Sequence, residues 1–257
     1  MQWPQFNSLV ALTAREVWRS RGLLLVSGVI LAAYAFAEFA ATLAVTESAA
    51  LRVSFYAASV RLGLVVALSL LVIVNTVRDA DDKFLELMLS RPLDRRVWVL
   101  AKFTGYALAS ILAALLAALL LCLMCPPLAA LAWSFTLACE LLLVSAAALT
   151  AALSLSHSVL AFGTVAAFYL LGRAMHAVVL LSQDPLLAPV TYLQHAVAWS
   201  VQGMSYLLPD FARFTQSAWL IYAAPMRGDL GFVATETLLY GSLLLVVGML
   251  DLQRRNL

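Results

Sequence analysis

The chain has 257 residues, of which 64% are hydrophobic and 12% are charged, and its formal net charge is +2. The charged fraction is about half that of an average soluble domain, so the composition excludes an ordinary soluble fold and indicates a membrane protein. The small net charge and the scattered basic residues also exclude a nucleic-acid-binding surface.

The first 22 residues predict a helix that lies along the membrane surface. Apolar residues recur there at mixed helical spacing, and Arg15, Arg19 and Arg21 gather towards the end of the stretch. A basic amphipathic segment of this kind is too short to cross a bilayer, and its apolar face favours the interface. We therefore predict an interfacial helix over residues 1–22.

Six apolar segments are each long enough for a helix to cross a bilayer. We predict an all-α polytopic membrane protein that forms one domain over residues 1–257, with spans at 23–44, 53–77, 98–124, 133–155, 159–181 and 229–250. Eleven of the 16 basic residues fall on one side of this topology. By the positive-inside rule this side is the cytoplasm, so both termini are expected to face the cytoplasm from the inner membrane.

Two connections between the predicted spans are long, while those near 46–51, 126–132 and 154–158 are short. The first long connection, residues 78–96, is dense in charge and predicts a short amphipathic helix from about Asp81 to Leu89, which Pro92 ends.

The second long connection, residues 182–228, lies on the outer side and is rich in proline and aromatic residues. Aromatic side chains of this kind suit the headgroup layer of a membrane. We predict two short amphipathic or re-entrant helices there, near 189–207 and 211–224, separated by the sequence L-P-D at 208–210.

The charged connection carries a recognisable motif. Residues 82–95 read D-K-F-L-E-L-M-L-S-R-P-L-D-R, and Lys102 and Gly105 follow at the start of the third span. With the six-span topology, this stretch resembles the permease subunits of type-2 ABC exporters. The sequence departs from that family at Lys83-Phe84, where many members carry Gly-Thr.

A weaker similarity lies in the outer connection, where Leu208-Pro209-Asp210 is followed by Phe211 and Phe214. This pattern is similar to the outer loop of those type-2 permeases that are associated with multi-copper enzyme maturation.

The resemblance implies a docking role for the charged connection. In that family the helix after the second span is the coupling helix, which inserts into a cleft of a separate nucleotide-binding subunit. Carried over to this chain, the apolar docking face and its polar rim would consist of Asp82, Phe84, Glu86, Leu87, Met88 and Arg91.

The partners follow from the same resemblance. The sequence contains no G-x-x-x-x-G-K-[ST] motif, so these residues offer no P-loop for ATP. We expect a separate ABC ATPase subunit to bind ATP and Mg²⁺, this chain to hold no cofactor, and a second permease copy, identical or paralogous, to complete the transporter in the lipid bilayer.

Charged residues interrupt the outer halves of five predicted spans: Glu38, Arg61, Glu140, Arg173 and Glu236. At a rise of about 1.5 Å per residue they share a depth of roughly 9–13 Å inside the outer boundary. An isolated charge there costs on the order of 2–3 kcal/mol or more, so the arginines should pair with some of the glutamates. His176, one turn from Arg173, can join them. Two interpretations stay open: a structural ion-pair network, or a substrate path or gate.

The remaining candidates for chemistry are weak. Cys122-x-x-Cys125 has the spacing of a redox or metal site, but we expect the three cysteines to act as small hydrophobes. His157, His176 and His195 have no spacing that would build a metal site, and no metal is expected.

Two alternatives to an ATP-driven transport subunit are a non-transporting membrane accessory or assembly protein and a polytopic membrane enzyme using Glu140, Arg173 or His176. The enzyme is the less favoured of the two, because neither G-x-S-x-G nor H-E-x-x-H occurs.

Overall fold

The computed structural model describes residues 3–19, 21–44, 47–81, 95–155, 157–182, 199–200, 202–203, 205–222 and 227–254. Within these ranges the backbone is mostly helical and contains no strand. The helices are α1 (Trp3–Arg19), α2 (Gly22–Leu43), α3 (Ser48–Asp81), α4 (Arg95–Leu121), α5 (Pro127–Ser154), α6 (Ser158–Ser182), the single turn α7 (Ala218–Ile221) and α8 (Arg227–Arg254).

Six of these helices are long and apolar enough to cross a membrane, which confirms a multi-pass, all-α membrane protein. Their apolar parts are Leu24–Leu43, Ser48–Asp79, Arg95–Leu121, Pro127–Ser154, Ser158–Leu181 and Gly228–Gln253. Each coincides with one of the six predicted spans.

Two spans begin earlier than predicted. Helix α3 begins at Ser48, inside the predicted connection at 46–51, and α5 begins at Pro127 rather than near 133. Proline fits the first turn of a helix, where its missing N–H would have no partner. Helix α3 has 34 residues and so is about 50 Å long, which exceeds the hydrocarbon thickness of about 30 Å.

Because α3 ends at Asp81 and α4 begins at Arg95, residues 78–81 and 95–96 of the predicted loop 78–96 are helical. Asp81, the predicted start of the amphipathic helix, is the last residue of α3. The rest of that predicted helix, residues 82–89, and all six docking residues lie outside the described residues: Asp82, Phe84, Glu86, Leu87, Met88 and Arg91.

Helix α5 is the axis of the bundle. Helices α3, α4, α6 and α8 all pack against it, and it is buried along nearly its whole length. Trp133, Leu137, Leu141 and Leu143 are each 0% exposed. The other long helices keep broad apolar faces exposed, which in a membrane are covered by lipid or by another apolar surface.

Helix α1 packs along α4 with its apolar face inward. Leu9, Thr13 and Val17 are buried, whereas Trp18 is exposed. The contact is close because Gly105 has no side chain: a Cβ there would lie 2.6 Å from the Cβ of Thr13. Gly105, part of the family-like motif, therefore has a packing role between α1 and the third span.

We expect Gly105→Ala to destabilise the bundle by about 1–3 kcal/mol, because the added methyl group overpacks the contact between α1 and α4. The midpoint of thermal unfolding in detergent measures the loss. Gly163→Ala is the matched control, since a Cβ at Gly163 meets no atom within 4 Å. Equal midpoints for the two variants would contradict the close packing of α1 on α4.

The outer connection differs from the prediction in its second half. Helical backbone occurs at 199–200, 202–203 and 205, within the first predicted short helix. Residues 211–217, however, form turns and bends, and in the described part of the predicted 211–224 helix, residues 211–222, only Ala218–Ile221 is helical. Buried Phe211, Phe214 and Thr215 and their contacts with the spans replace a regular helix here.

Candidate functional site

Glu140, in the middle of α5, is the centre of a buried polar cluster. Its side chain is 0% exposed. Oε1 accepts a hydrogen bond from the Tyr169 hydroxyl at 2.7 Å and lies 3.5 Å from Arg173 Nη1, while Oε2 accepts from the Thr215 hydroxyl at 2.7 Å. A carboxylate buried among spans is stable only when its oxygens are satisfied in this way.

The outer segment 208–215 folds into the bundle against this cluster. Pro209, Phe211 and Phe214 are buried, and Phe211 packs against the rings of Tyr169 and Phe214. Arg173 Nη1 donates to the carbonyl oxygen of Phe211 at 3.0 Å. We call residues 208–215 the inserted segment.

Gly172 makes room for the inserted segment. A Cβ at this position would lie 2.8 Å from both the Phe211 ring and the carbonyl oxygen of Pro209. The backbone of α6 and the inserted segment therefore approach each other more closely than any residue with a side chain would allow.

Thr215 fixes the end of the inserted segment with all three of its polar groups. Its φ of 40° lies in the left-handed region, which is unfavourable for a β-branched residue. Its hydroxyl binds Glu140, its N–H donates to Thr136 Oγ1 at 3.3 Å, and its carbonyl accepts from Arg61 Nη1 at 3.2 Å. These bonds offset a conformation that costs on the order of 1–3 kcal/mol.

The structure therefore divides the predicted charge belt. Arg61, Glu140 and Arg173 meet around the inserted segment, but Arg61 binds a backbone carbonyl rather than a glutamate. Glu38 is 40% exposed and pairs with Arg52 at 3.5 Å, away from the other arginines. Glu236 accepts the Asp210 N–H at 3.2 Å and belongs to a second group, on the side of the bundle that is predicted to be outer.

This second group lines a cavity of about 440 Å³ between α6, α8 and the inserted segment. Asp210 Oδ2 lies 3.1 Å from His176 Nδ1 and 3.1 Å from Arg213 Nε. The Arg213 guanidinium lies over the Phe232 ring, 4.7 Å from its centroid. The volume falls in the range of about 300–1,000 Å³ typical of small-molecule sites.

The cluster around Glu140 and the group that lines the cavity differ in whether a ligand can reach them. Glu140 has no exposed surface, and both of its oxygens have donors, so a molecule in the cavity does not reach it in this conformation. His176 and Glu236 line the cavity itself. Of the predicted path residues, these two can contact a ligand, and Arg61, Glu140 and Arg173 hold the segment that forms one wall.

Sequence reasoning missed Tyr169, Asp210, Arg213 and Thr215 as members of these groups. Tyr169 lies one helical turn before Arg173, and that spacing was a usable signal. Asp210 was noted as part of a break between short helices and of the weaker family resemblance, but not as a member of a polar group. Nothing in the local sequence predicts that Thr215 reaches a glutamate on α5.

A third polar group lies near the predicted cytoplasmic ends of the helices. Lys102 on α4 is 2% exposed, and its Nζ lies 2.5 Å from Asp79 Oδ2 on α3 and 2.8 Å from Glu16 Oε2 on α1. The ammonium is also 5.9 Å from the ring centroids of Trp98 and Tyr106. One buried cation thus joins three helices, and we call Glu16, Asp79 and Lys102 the lysine triad.

Cys139 is buried in the bundle, and the other two cysteines lie just after the end of α4. Cys122 and Cys125 are free and half-buried, and the Cys125 thiol donates to the Leu121 carbonyl at 3.3 Å. Burial, and then the neighbouring Cys122, raise the pKa of the Cys125 thiol. A reactive cysteine needs the opposite shift, because the thiolate is the nucleophile.

Alkylation of Cys125 by a hydrophilic maleimide should therefore be slower at pH 7 than that of an unhindered cysteine peptide. A raised pKa moves the rise in thiolate fraction to higher pH, so the rate should still be climbing where the peptide has levelled off. A single-cysteine variant, C122A with C139A, isolates the signal. A rate at pH 7 above that of the peptide would contradict the burial of the thiol.

Among the residues that the structure describes, no three His, Cys, Asp or Glu side chains come together as a metal site. His195, one of the three histidines considered as metal ligands from the sequence, lies outside the described residues. No model of a known protein family matches the chain, and no curated protein matches it in sequence. The geometry and the residues of the motif at 82–105 therefore carry the argument on function.

Proposed function

We propose that this chain is the membrane-spanning permease subunit of an ATP-driven ABC exporter in the inner membrane. Residues 82–94 dock into a separate ATPase subunit, and a second permease copy, identical or paralogous, completes the transporter. Both termini face the cytoplasm. The similarity to permeases associated with multi-copper enzyme maturation does not define the transported molecule.

The lysine triad is the observation that supports this proposal most. Asp79 is three residues before the proposed docking segment, and Lys102 is eight residues after it. The two helices that bracket the segment are thus fastened to each other and, through Glu16, to α1. A force applied to the segment would move α1, α3 and α4 together rather than be absorbed by a loose loop.

A further bond extends this connection to the last span. Arg95, the first residue of α4, donates through Nη1 to the carbonyl oxygen of Leu252 near the end of α8 at 2.9 Å. Docking and ATP-driven closure of two ATPase subunits would therefore act on a connected set of helix ends. Rocking of packed helices in response to such closure is a common mode of conformational change.

The outer half offers the other component that a transporter requires. The cavity of about 440 Å³ is walled partly by the inserted segment, which is held to the spans by Arg61, Glu140 and Arg173. Movement of α3, α5 or α6 would change the position of this segment. This arrangement supports a path whose outer end opens or closes when the inner ends move.

The test is affinity purification of the tagged protein from gently solubilised membranes, followed by identification of bound proteins. The wild type should recover a P-loop ATPase, and Phe84→Asp combined with Met88→Asp should lose it, because two carboxylates cannot enter an apolar cleft without a large desolvation cost. The control is Phe84→Leu with Met88→Leu, which keeps the apolar character and should retain the ATPase.

The alternatives give different results in the same experiment. A non-transporting accessory protein would recover other membrane or extracytoplasmic proteins and no ATPase with any variant. A membrane enzyme would recover no obligatory partner, and its activity would depend on Glu140, Arg173 or His176. Either result would overturn the proposal.

A further inference from the structure

The outer cavity presents carboxylates that the protein itself only partly satisfies. Glu236 accepts one hydrogen bond, from the Asp210 N–H at 3.2 Å, and has no cationic side chain within 4 Å among the described residues. Asp210 uses Oδ2 for both His176 and Arg213, and its Oδ1 has no hydrogen-bond donor in the described part of the chain. A ligand that carries positive charge would satisfy these groups.

The charged side chains around the cavity also favour a positively charged ligand. A smaller pocket adjoins the cavity and shares His176, Arg213 and Phe232 with it, and Asp229 lies in its wall. Among the described residues, the carboxylates of Asp210 and Glu236 face one guanidinium, that of Arg213, whose charge is engaged by Asp210 and by the Phe232 ring. Such a site attracts cations and repels anions.

The rest of the wall is apolar and aromatic. Met175, Val179 and Leu180 on α6 face the cavity together with Leu208 and Tyr206. An apolar wall with a few convergent charged groups is typical of sites that bind an amphiphilic small molecule. A small inorganic cation would gain nothing from this wall.

We propose that the cavity binds an organic cation with an apolar substituent, its positive charge against Glu236 and its substituent against the α6 wall. This assignment rests on the proposed function, because it names the class of molecule that the permease would carry through its outer half. The same carboxylates disfavour organic anions of similar size.

The probe is radiolabelled tetraphenylphosphonium, measured by equilibrium dialysis on the permease alone in phosphatidylcholine nanodiscs, with empty nanodiscs subtracted. We expect saturable binding. Decyltrimethylammonium should displace the probe, whereas decyl sulfate, with the same tail and the opposite charge, should not. Absence of saturable binding, or equal displacement by the two competitors, would overturn the proposal.

Glu236→Gln should weaken binding of the probe about tenfold or more, since it removes the charge and keeps an acceptor for the Asp210 N–H. Glu38→Gln is the matched control, because Glu38 pairs with Arg52 outside the cavity, and its binding should be unchanged. Equal affinity of wild type and Glu236→Gln would contradict the role of Glu236.

Met175→Trp keeps every charge and narrows the cavity with a bulky ring on the α6 wall, so it should weaken binding of the probe about tenfold or more even if Glu236→Gln does not assemble. Retained affinity in Met175→Trp would place the probe elsewhere and overturn the proposal. Because these measurements use the permease without an ATPase, their failure is distinguishable from loss of ATPase recovery, which tests the proposed function.

Discussion

Replacing Lys102 by methionine is expected to lower the free energy of unfolding by about 3–5 kcal/mol, because the change leaves two carboxylates beside an uncharged thioether. Lys102 is 2% exposed and Asp79 is 9% exposed, so water cannot restore the lost partner. Thermal unfolding in detergent should show the loss. In membranes the same variant should recover less ATPase, since α1, α3 and α4 are no longer fastened together.

A triple variant tests whether Lys102→Met destabilises the protein through the unpaired carboxylates or through lost packing. Combining Lys102→Met with Glu16→Gln and Asp79→Asn removes all three charges, and it should regain most of the lost stability, because an uncharged set has no unpaired buried ion. Arg19→Met, at an exposed position on α1, is the control and should change stability little. A triple variant as unstable as Lys102→Met would contradict the ion-triad account.

Replacing Glu140 by leucine is expected to have the second-largest effect, again about 3–5 kcal/mol, since it removes the acceptor of two buried hydroxyl donors and the anionic partner of a partly buried guanidinium. Arg173, Tyr169 and Thr215 all lose their acceptor on α5. The inserted segment should then open more often. Glu140→Gln, which keeps one acceptor oxygen, should fall between leucine and the wild type.

Opening of the inserted segment is measured by labelling Phe214→Cys with a membrane-impermeant maleimide from the outer side. Phe214 is 0% exposed, so labelling should be slow in the parent and about tenfold or more faster with Glu140→Leu. Glu38→Gln, which removes a half-exposed charge at the surface, should leave both stability and labelling nearly unchanged. Equal labelling rates in all backgrounds would contradict the anchoring role of Glu140.

The sequence was sufficient to predict the six spans because a bilayer imposes a simple requirement of about 20 apolar residues per helix. It was less reliable at their ends, since α3 begins at Ser48 and α5 begins at Pro127, several residues before the predicted starts of those spans. Helix length depends on hydrogen bonding and capping as well as on hydrophobicity, so an apolar window alone cannot set the boundary.

The sequence predicted that the charged residues within the spans need partners, but it did not predict which residues pair. The cost of an isolated charge indicated that Arg173 needs a partner, and Glu140 is close to it. Depth along the helix axis does not, however, determine which face a residue occupies, so Glu38 was grouped with residues that it does not meet. The inserted segment could not be foreseen, because its position depends on the cleft that Gly172 leaves open.

The most direct test of the account is photocrosslinking in intact cells from benzoylphenylalanine at position 84 or 88, with position 47, at the outer end of α3, as the control. We predict a crosslinked product that contains a P-loop ATPase from positions 84 and 88 and none from 47. Products from 84 and 88 that contain only other proteins or lipid would contradict an ATPase-driven permease.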